Sequence, residues 1–289
     1  MLKPTIPGPD PDTKTPSFRL PAVACDAHCH IFGPNSKYPY AADRPYTPPD
    51  APLEDFRTLH AKLGVGRAVI VNASVHGTDN RVALDAIAAS GGAYRAVANL
   101  DGGVTERELR TLHEGGFRGC RFNFVRHLGG VPDMRAFDRV VQMIAPLGWH
   151  VDLHFDAIDL PEYAAMLARL PLRYTIDHIG RVKAADGLGQ LPFRTLIDLM
   201  ARDEKCWVKV CGCERVSSLG PPFHDAVPFA RRIIETAPDR VIWGTDWPHP
   251  NVKAMPNDGD LVDLIPLFAP EPALQQKILV DNPAILFEF

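Results

Sequence analysis

The sequence predicts an α/β protein, a single (β/α)8 barrel of the TIM type, from three observations. Short β-rich runs alternate eight times with longer, mostly helical stretches, which is the pattern of parallel βα units. The 289 residues suit one large barrel core, which typically takes ~250 residues. The strand ends are unusually polar, and in such barrels the C-terminal ends of the strands carry the active site.

In chain order the expected strands are VACDAHCHIF from Val23, RAVIVNAS from Arg67, YRAVANLD from Tyr94, FRGCRFNFV from Phe117, WHVDLHF from Trp149, LRYTIDH from Leu172, CWVKVCG from Cys206 and RVIWGTD from Arg240. Helices are expected at TDNRVALDAIAAS from Thr78, TERELRTLHEGG from Thr105 and DMRAFDRVVQMIAPLG from Asp133. Each opens on a favoured N-cap residue type, and the last two run into a glycine. Residues 33–52, with six prolines, read as a long loop over the barrel mouth, either a lid or a rigid excursion. The stretch from Asp260 to Phe289 reads as two closing helices. Residues 1–20 are expected to be an N-terminal extension and residues 21–289 the barrel domain.

Composition narrows the function classes. Hydrophobic residues make up 46% and charged residues 23%, close to the soluble globular average of about 45–50% and 25%. A net charge of −4 offers no broad positive field for nucleic acid. No window reaches the ~18 consecutive apolar residues of a spanning helix. The proline-rich first twenty residues lack the apolar stretch of a secretory signal, so a cytoplasmic location is expected. The six cysteines are expected to be reduced. Nothing in the sequence reads out the oligomeric state.

Strand one ends in His28 and His30, strand two in Ser74 and His76, strand four in Arg121 and Asn123, strand five in His154, strand six in His178 and strand eight in Asp246. Alternation along strand one places Asp26, His28 and His30 on one face, opposite Ala27 and Cys29. Two imidazoles on one strand, a third from another and a carboxylate from a fourth supply three or four ligands for a zinc-type ion and leave room for water.

DAHCHIFGP near the start and WGTDWPHP near the end, with the four histidines and Asp246, make the chain resemble the amidohydrolase superfamily. The runs YTPPDAP, HGTDNR, RGCRFNF, GWHV, DHIGR, PDRVIWGTDWPHPN and LVDNP are similar to 2-pyrone-4,6-dicarboxylate lactonases and 4-sulfomuconolactone hydrolases, enzymes of aromatic-acid catabolism. The resemblance implies that His28, His30 and His178 polarise a lactone carbonyl and that Asp246 activates water without a metal. It places the anion-holding groups at Tyr46, Ser74, His76, Arg121 and Arg215, where a guanidinium matches a carboxylate with two parallel hydrogen bonds.

Two departures modify this expectation. His154 stands where those lactonases have a tyrosine, and His127, preceded by Arg126, stands where they have a second arginine. An imidazole at the end of strand five restores a metal ligand. One divalent ion, Zn²⁺ or Mn²⁺, held by His28, His30, His154 and Asp246 is therefore expected, with a metal-free mechanism as the alternative. The change at His127 predicts weak activity on the planar pyrone dicarboxylate relative to a lactone with a differently placed anion.

His60, His113, His150 and His224 are assigned surface or structural roles. His249 either lines the pocket or stabilises its loop. Asp26 and Asp152 are either partners behind the metal ligands or buried polar pairs. Arg126, Arg181 and Lys209 either hold substrate anions or bridge acidic groups. The function expected is hydrolysis of a small anionic lactone. The alternatives are metal-dependent decarboxylation or hydration of a related unsaturated acid, and a catalytically silent binding protein for aromatic acids.

Overall fold

The computed structural model describes residues 4–289. Eight parallel strands run in sequence order around one sheet: β1 (Cys25–Cys29), β2 (Arg67–Val71), β3 (Tyr94–Asn99), β4 (Phe117–Asn123), β5 (His150–His154), β6 (Tyr174–Ile176), β7 (Cys206–Lys209) and β8 (Val241–Ile242). All eight fall inside the runs expected from periodicity. The segment following β8 closes the barrel onto β1. Ala27 N–H donates to the Trp243 carbonyl, Asp246 N–H to that of His28, and His30 N–H to that of Trp247. Gly244 permits this approach, since a Cβ there would lie 2.5 Å from the His28 nitrogen.

Helices α1 (Leu53–Leu63), α2 (Arg81–Ala88), α3 (Glu106–Glu114), α4 (Met134–Ile144), α5 (Leu160–Arg169) and α6 (Leu191–Arg202) follow β1 to β6 in turn, and the short α7 (Cys213–Val216) and α8 (Val227–Thr236) both follow β7. Helix α3 has the capping box its sequence suggests, with Thr105 and Glu108 satisfying each other's backbone N–H. Asp133 caps α4 through Arg135 N–H. Helix α2 differs from expectation: it starts at Arg81, not next to Thr78. Asn80, which precedes it, is drawn instead into bonds with Asn72 and with the backbone of Thr78 and Asn99, tying the ends of β2 and β3 together.

The expected pair of closing helices is a correction. The C-terminal segment breaks into α9 (Asp258–Asp263), α10 (Ile265–Phe268), α11 (Pro272–Gln276), a π-turn over Lys277–Asp281 and α12 (Asn282–Phe287). Pro266, Pro270, Pro272 and Pro283 account for this, because each lacks an amide proton and disfavours helix in the residue before it. Leu286 and Phe287 of α12 plug the lower end of the barrel against Cys25, Ala27, Val69, Val71, Val97, Trp207 and Ile242. No helix among the described residues is long and apolar enough to cross a membrane.

The face assignment in strand one is a second correction. The register between β1 and β2 shifts between Asp26 and Cys29, so one extra residue sits in β1. Such a bulge inverts the alternation beyond it. Ala27 belongs to the inner apolar cluster and His28 also points inward. Asp26 faces outward, where it accepts from His60 of α1 at 3.1 Å and from Thr245 N–H at 2.9 Å. Asp26 is thus a clamp between β1, α1 and the end of strand eight, and it lies apart from the pocket.

Residues 33–52 form a compact loop pinned at several points. Phe32 and Ala51 exchange backbone bonds, Ala41 N–H donates to Val75 at 2.7 Å, and Tyr40 and Asn35 both bond Asp50. The N-terminal residues lie across it, with Ile6 N–H donating to Thr47 and Thr47 N–H to Pro4.

Candidate active site

At the barrel mouth the side chains of His30, Tyr46, Ser74, Arg121, His154, His178, Arg215 and Asp246 enclose a pocket of about 20 Å³, together with Ala73, Leu128, Pro250 and Asn251. A larger cavity of about 690 Å³ between α2 and α3 lies away from all of these groups. Ala73, Leu128, Pro250 and Asn251 carry no periodic or ligand-type signal in the sequence, although Pro250 and Asn251 end the WGTDWPHPN run.

Beneath the pocket is a buried ionic layer. Lys209 of β7 contacts Asp152 closely, lies 3.3 Å from Asp177 and 3.1 Å from His28 Nδ1. Asp177 also meets Arg121 at 3.1 Å, and Asp152 accepts from Thr175 and His150. A buried charge survives only when it is paired. Lys209 therefore bridges acidic groups rather than holding substrate. Burial pushes the Asp152 and Asp177 carboxyls up, but the Lys209 ammonium outweighs it and both stay below their ordinary value.

Asp246 is fully buried and its backbone takes a left-handed φ of 66°. Arg215 holds one carboxylate oxygen, Oδ2, from Nε at 2.7 Å and Nη2 at 2.5 Å, and braces itself on the Pro250 carbonyl at 2.9 Å. The other oxygen, Oδ1, faces His30 Nε2 at 3.3 Å and His28 Nε2 at 3.6 Å. Burial raises the Asp246 pKa, yet the Arg215 guanidinium and then the surrounding imidazoles hold it well below the usual carboxylate range. His178 Nδ1 lies 3.9 Å from Oδ2 and 3.3 Å from the Cys211 thiol.

The chain around His178 runs through four consecutive left-handed residues, His178, Ile179, Gly180 and Arg181, with φ between 52° and 65°. A left-handed turn costs roughly 1–2 kcal/mol per non-glycine residue, so the strain marks a position where orientation is being enforced. Gly212 completes the packing, because a Cβ there would sit 2.9 Å from the His178 ring.

His30 donates from Nδ1 to the Val71 carbonyl at 2.7 Å. Its Nε2 lone pair therefore points at a carboxylate, an arrangement that calls for a proton or a cation between them. His154 Nδ1 bonds the Asn123 oxygen at 2.9 Å while the Asn123 amide donates to Ser74, and His154 Nε2 is left without a partner. Burial lowers the pKa of His28, His154 and His178 well below the ordinary histidine value, so these rings are neutral.

The donor set is chemically suited to a divalent ion: neutral imidazoles with unpartnered buried nitrogens on His28 and His154, and a carboxylate oxygen facing two of the rings. The ligand atoms of His28, His178 and Asp246 lie within 4.8 Å of one another, and neither His30 nor His154 is in that group.

The remaining sequence candidates disperse. Tyr46 is buried at the pocket wall, and burial raises its phenol pKa, keeping the hydroxyl a donor. His76 packs against Tyr40 at 5.2 Å and does not line the pocket. Arg126 is exposed on the turn after β4, and the side chain of His127 lies outside the described residues. Arg181 pairs with Asp156 at 2.7 Å. His249 bonds Asp258 at 3.0 Å beside the pocket and so stabilises its loop.

Comparison with known proteins bears on the family and the fold. The amidohydrolase family model matches residues 25–289. A Comamonas testosteroni protein named 2-pyrone-4,6-dicarboxylate hydrolase is 46% identical over 94% of this chain and 92% of its own length. A Hydrogenophaga intermedia protein named 4-sulfomuconolactone hydrolase is 44% identical over 99% of this chain and 95% of its own. A crystal structure from Agrobacterium tumefaciens superposes with a TM-score of 0.82 at 29% identity, covering 95% of this chain and 98% of that one. The chain belongs to the amidohydrolase family.

Proposed function

We propose that the protein hydrolyses a small anionic lactone of aromatic-acid catabolism, of the 2-pyrone-4,6-dicarboxylate or 4-sulfomuconolactone type. The observation that carries this reading is the divided carboxylate of Asp246: Arg215 holds Oδ2, and Oδ1 is left facing His30, which lines the pocket, and the fully buried His28. A carboxylate so placed takes a proton from water, and its depressed pKa keeps it ionised for that task.

The ring carbonyl lies against His28, His30 and His178. Water attacks the carbonyl carbon as its proton passes to Asp246, and the tetrahedral oxyanion collapses with cleavage of the ring C–O bond. The released oxygen recovers the proton from Asp246. Arg121, Tyr46 and Ser74 hold the substrate's anionic groups, with Arg215 at the edge of the same pocket.

One divalent ion, Zn²⁺ or Mn²⁺, is proposed at His28, His30, His154 and Asp246, with His178 beside it. When bound, it would polarise the carbonyl and lower the pKa of a bound water.

Purified protein assayed against pyrone dicarboxylate and muconolactone acids tests the reading. Ring opening with release of one proton and no carbon dioxide is expected. Carbon dioxide release would point to a decarboxylase, and binding of these acids without turnover to a silent binding protein.

A further inference from the structure

The pocket around Asp246 holds about 20 Å³, whereas small-molecule sites usually enclose ~300–1,000 Å³, so the lactone reaches it only when a wall opens. Arg215 lines this pocket and also a second cavity of about 650 Å³ at the same barrel mouth. That cleft lies between the loops that follow β5, β6, β7 and β8. Its charged lining is Asp156, Arg181, Lys183, Asp186, Arg215 and Lys253.

Arg181 is paired with Asp156 and Arg215 with Asp246. Among the described residues, Lys183 and Lys253 make no ion pair, and both are exposed. Two free ammonium groups, set against the one unpaired carboxylate of Asp186, thus leave the cleft a net positive charge beside the wall of the pocket, in a chain whose net charge is −4. The overall field repels an anionic substrate. A local positive cleft reverses that at the one place where it matters, since lined clefts focus the field and raise the encounter rate by ~10–10³-fold.

We propose that this cleft is a capture site for the anionic lactone, in which Lys183 and Lys253 receive its carboxylate or sulfonate before it passes Arg215 into the pocket. The proposal rests on the lactonase reading. It assigns these lysines to association and gives them no part in the chemical step.

The experiment compares the wild-type protein with Lys183→Gln, Lys253→Gln and the double variant on the lactone hydrolysed, from about 20 to about 500 mM ionic strength. The double variant should lose about 5- to 10-fold in kcat/KM at the lowest salt, keep kcat, and converge on the wild type as screening removes the steering. Calorimetry with isophthalate, a dianion with no ester to cleave, should show weaker low-salt binding in the double variant.

Equal kcat/KM with parallel salt dependence, or equal isophthalate affinity in all four proteins, overturns the capture site. A wild-type protein that cleaves no lactone but binds isophthalate through these lysines would sink the lactonase reading and support the cleft.

Discussion

Arg215 donates from both Nε and Nη2 to a single oxygen of Asp246, and the second oxygen is left to His30 at 3.3 Å. A guanidinium fork that gripped both oxygens would bury the base. Held by one, the carboxylate is fixed in rotation, kept ionised and still open to water on its other side.

Replacing Asp246 with Asn keeps the shape and removes the proton acceptor. The variant should fold normally, by circular dichroism and thermal midpoint, and lose about 10²–10⁴-fold in kcat, the usual contribution of a general base. Retention of more than about a tenth of wild-type kcat would end the general-base assignment.

Arg121→Met and Arg215→Met should separate in steady-state kinetics. Arg121 lines the pocket but lies away from Asp246, so its loss should raise KM by about 10- to 100-fold, the worth of one charge-assisted contact, with a smaller change in kcat. Arg215→Met should lower kcat as well, because Asp246 loses its orientation. Identical KM and kcat effects in the two variants would refute the division of roles.

The pH profile follows from the same pair. Asp246 has a depressed pKa, so its active carboxylate persists as pH falls until that low value is reached. In the wild type, protonation of Asp246 should limit kcat/KM only below about pH 4, the ordinary carboxylate value. Arg215→Met removes the largest lowering influence and leaves burial, which raises the pKa, so the acid limb should move to higher pH. An unmoved limb would show that another group controls it.

For the metal, elemental analysis of protein purified without chelator should find about one divalent ion per chain, and chelation should abolish activity that added Zn²⁺ or Mn²⁺ restores. Asn123→Ala frees His154 Nδ1 and should weaken metal affinity by about 10- to 100-fold, as loss of a ligand's orienting partner does. Full activity of metal-free protein would return the imidazoles to direct contact with substrate.

Lys209→Met leaves Asp152 buried beside the substituted position without its cation, and Asp177 with Arg121 alone. Breaking such a pair typically costs about 3–5 kcal/mol, so the urea midpoint should fall sharply. An unchanged midpoint would mean that water or His150 takes over the charge.

The sequence by itself determined the barrel, the order of its strands and the identity of the groups at their ends. Those properties rest on local periodicity and on the rule that strand C-termini line the mouth. The same information assigned Asp26 to the face of His28, and there it failed, because a single extra residue in β1 inverts the parity and only pairing with β2 reveals it. It left Lys209 undecided between substrate and salt bridge. The answer depends on Asp152 and Asp177, which are 57 and 32 residues away in the chain yet adjacent inside the barrel. The folding of the closing segment, the division of the Asp246 oxygens and the charged cleft beyond Arg215 were likewise decided in three dimensions. Each depends on contacts between loops of different βα units, and nothing in one unit's own pattern specifies how its loop meets the next.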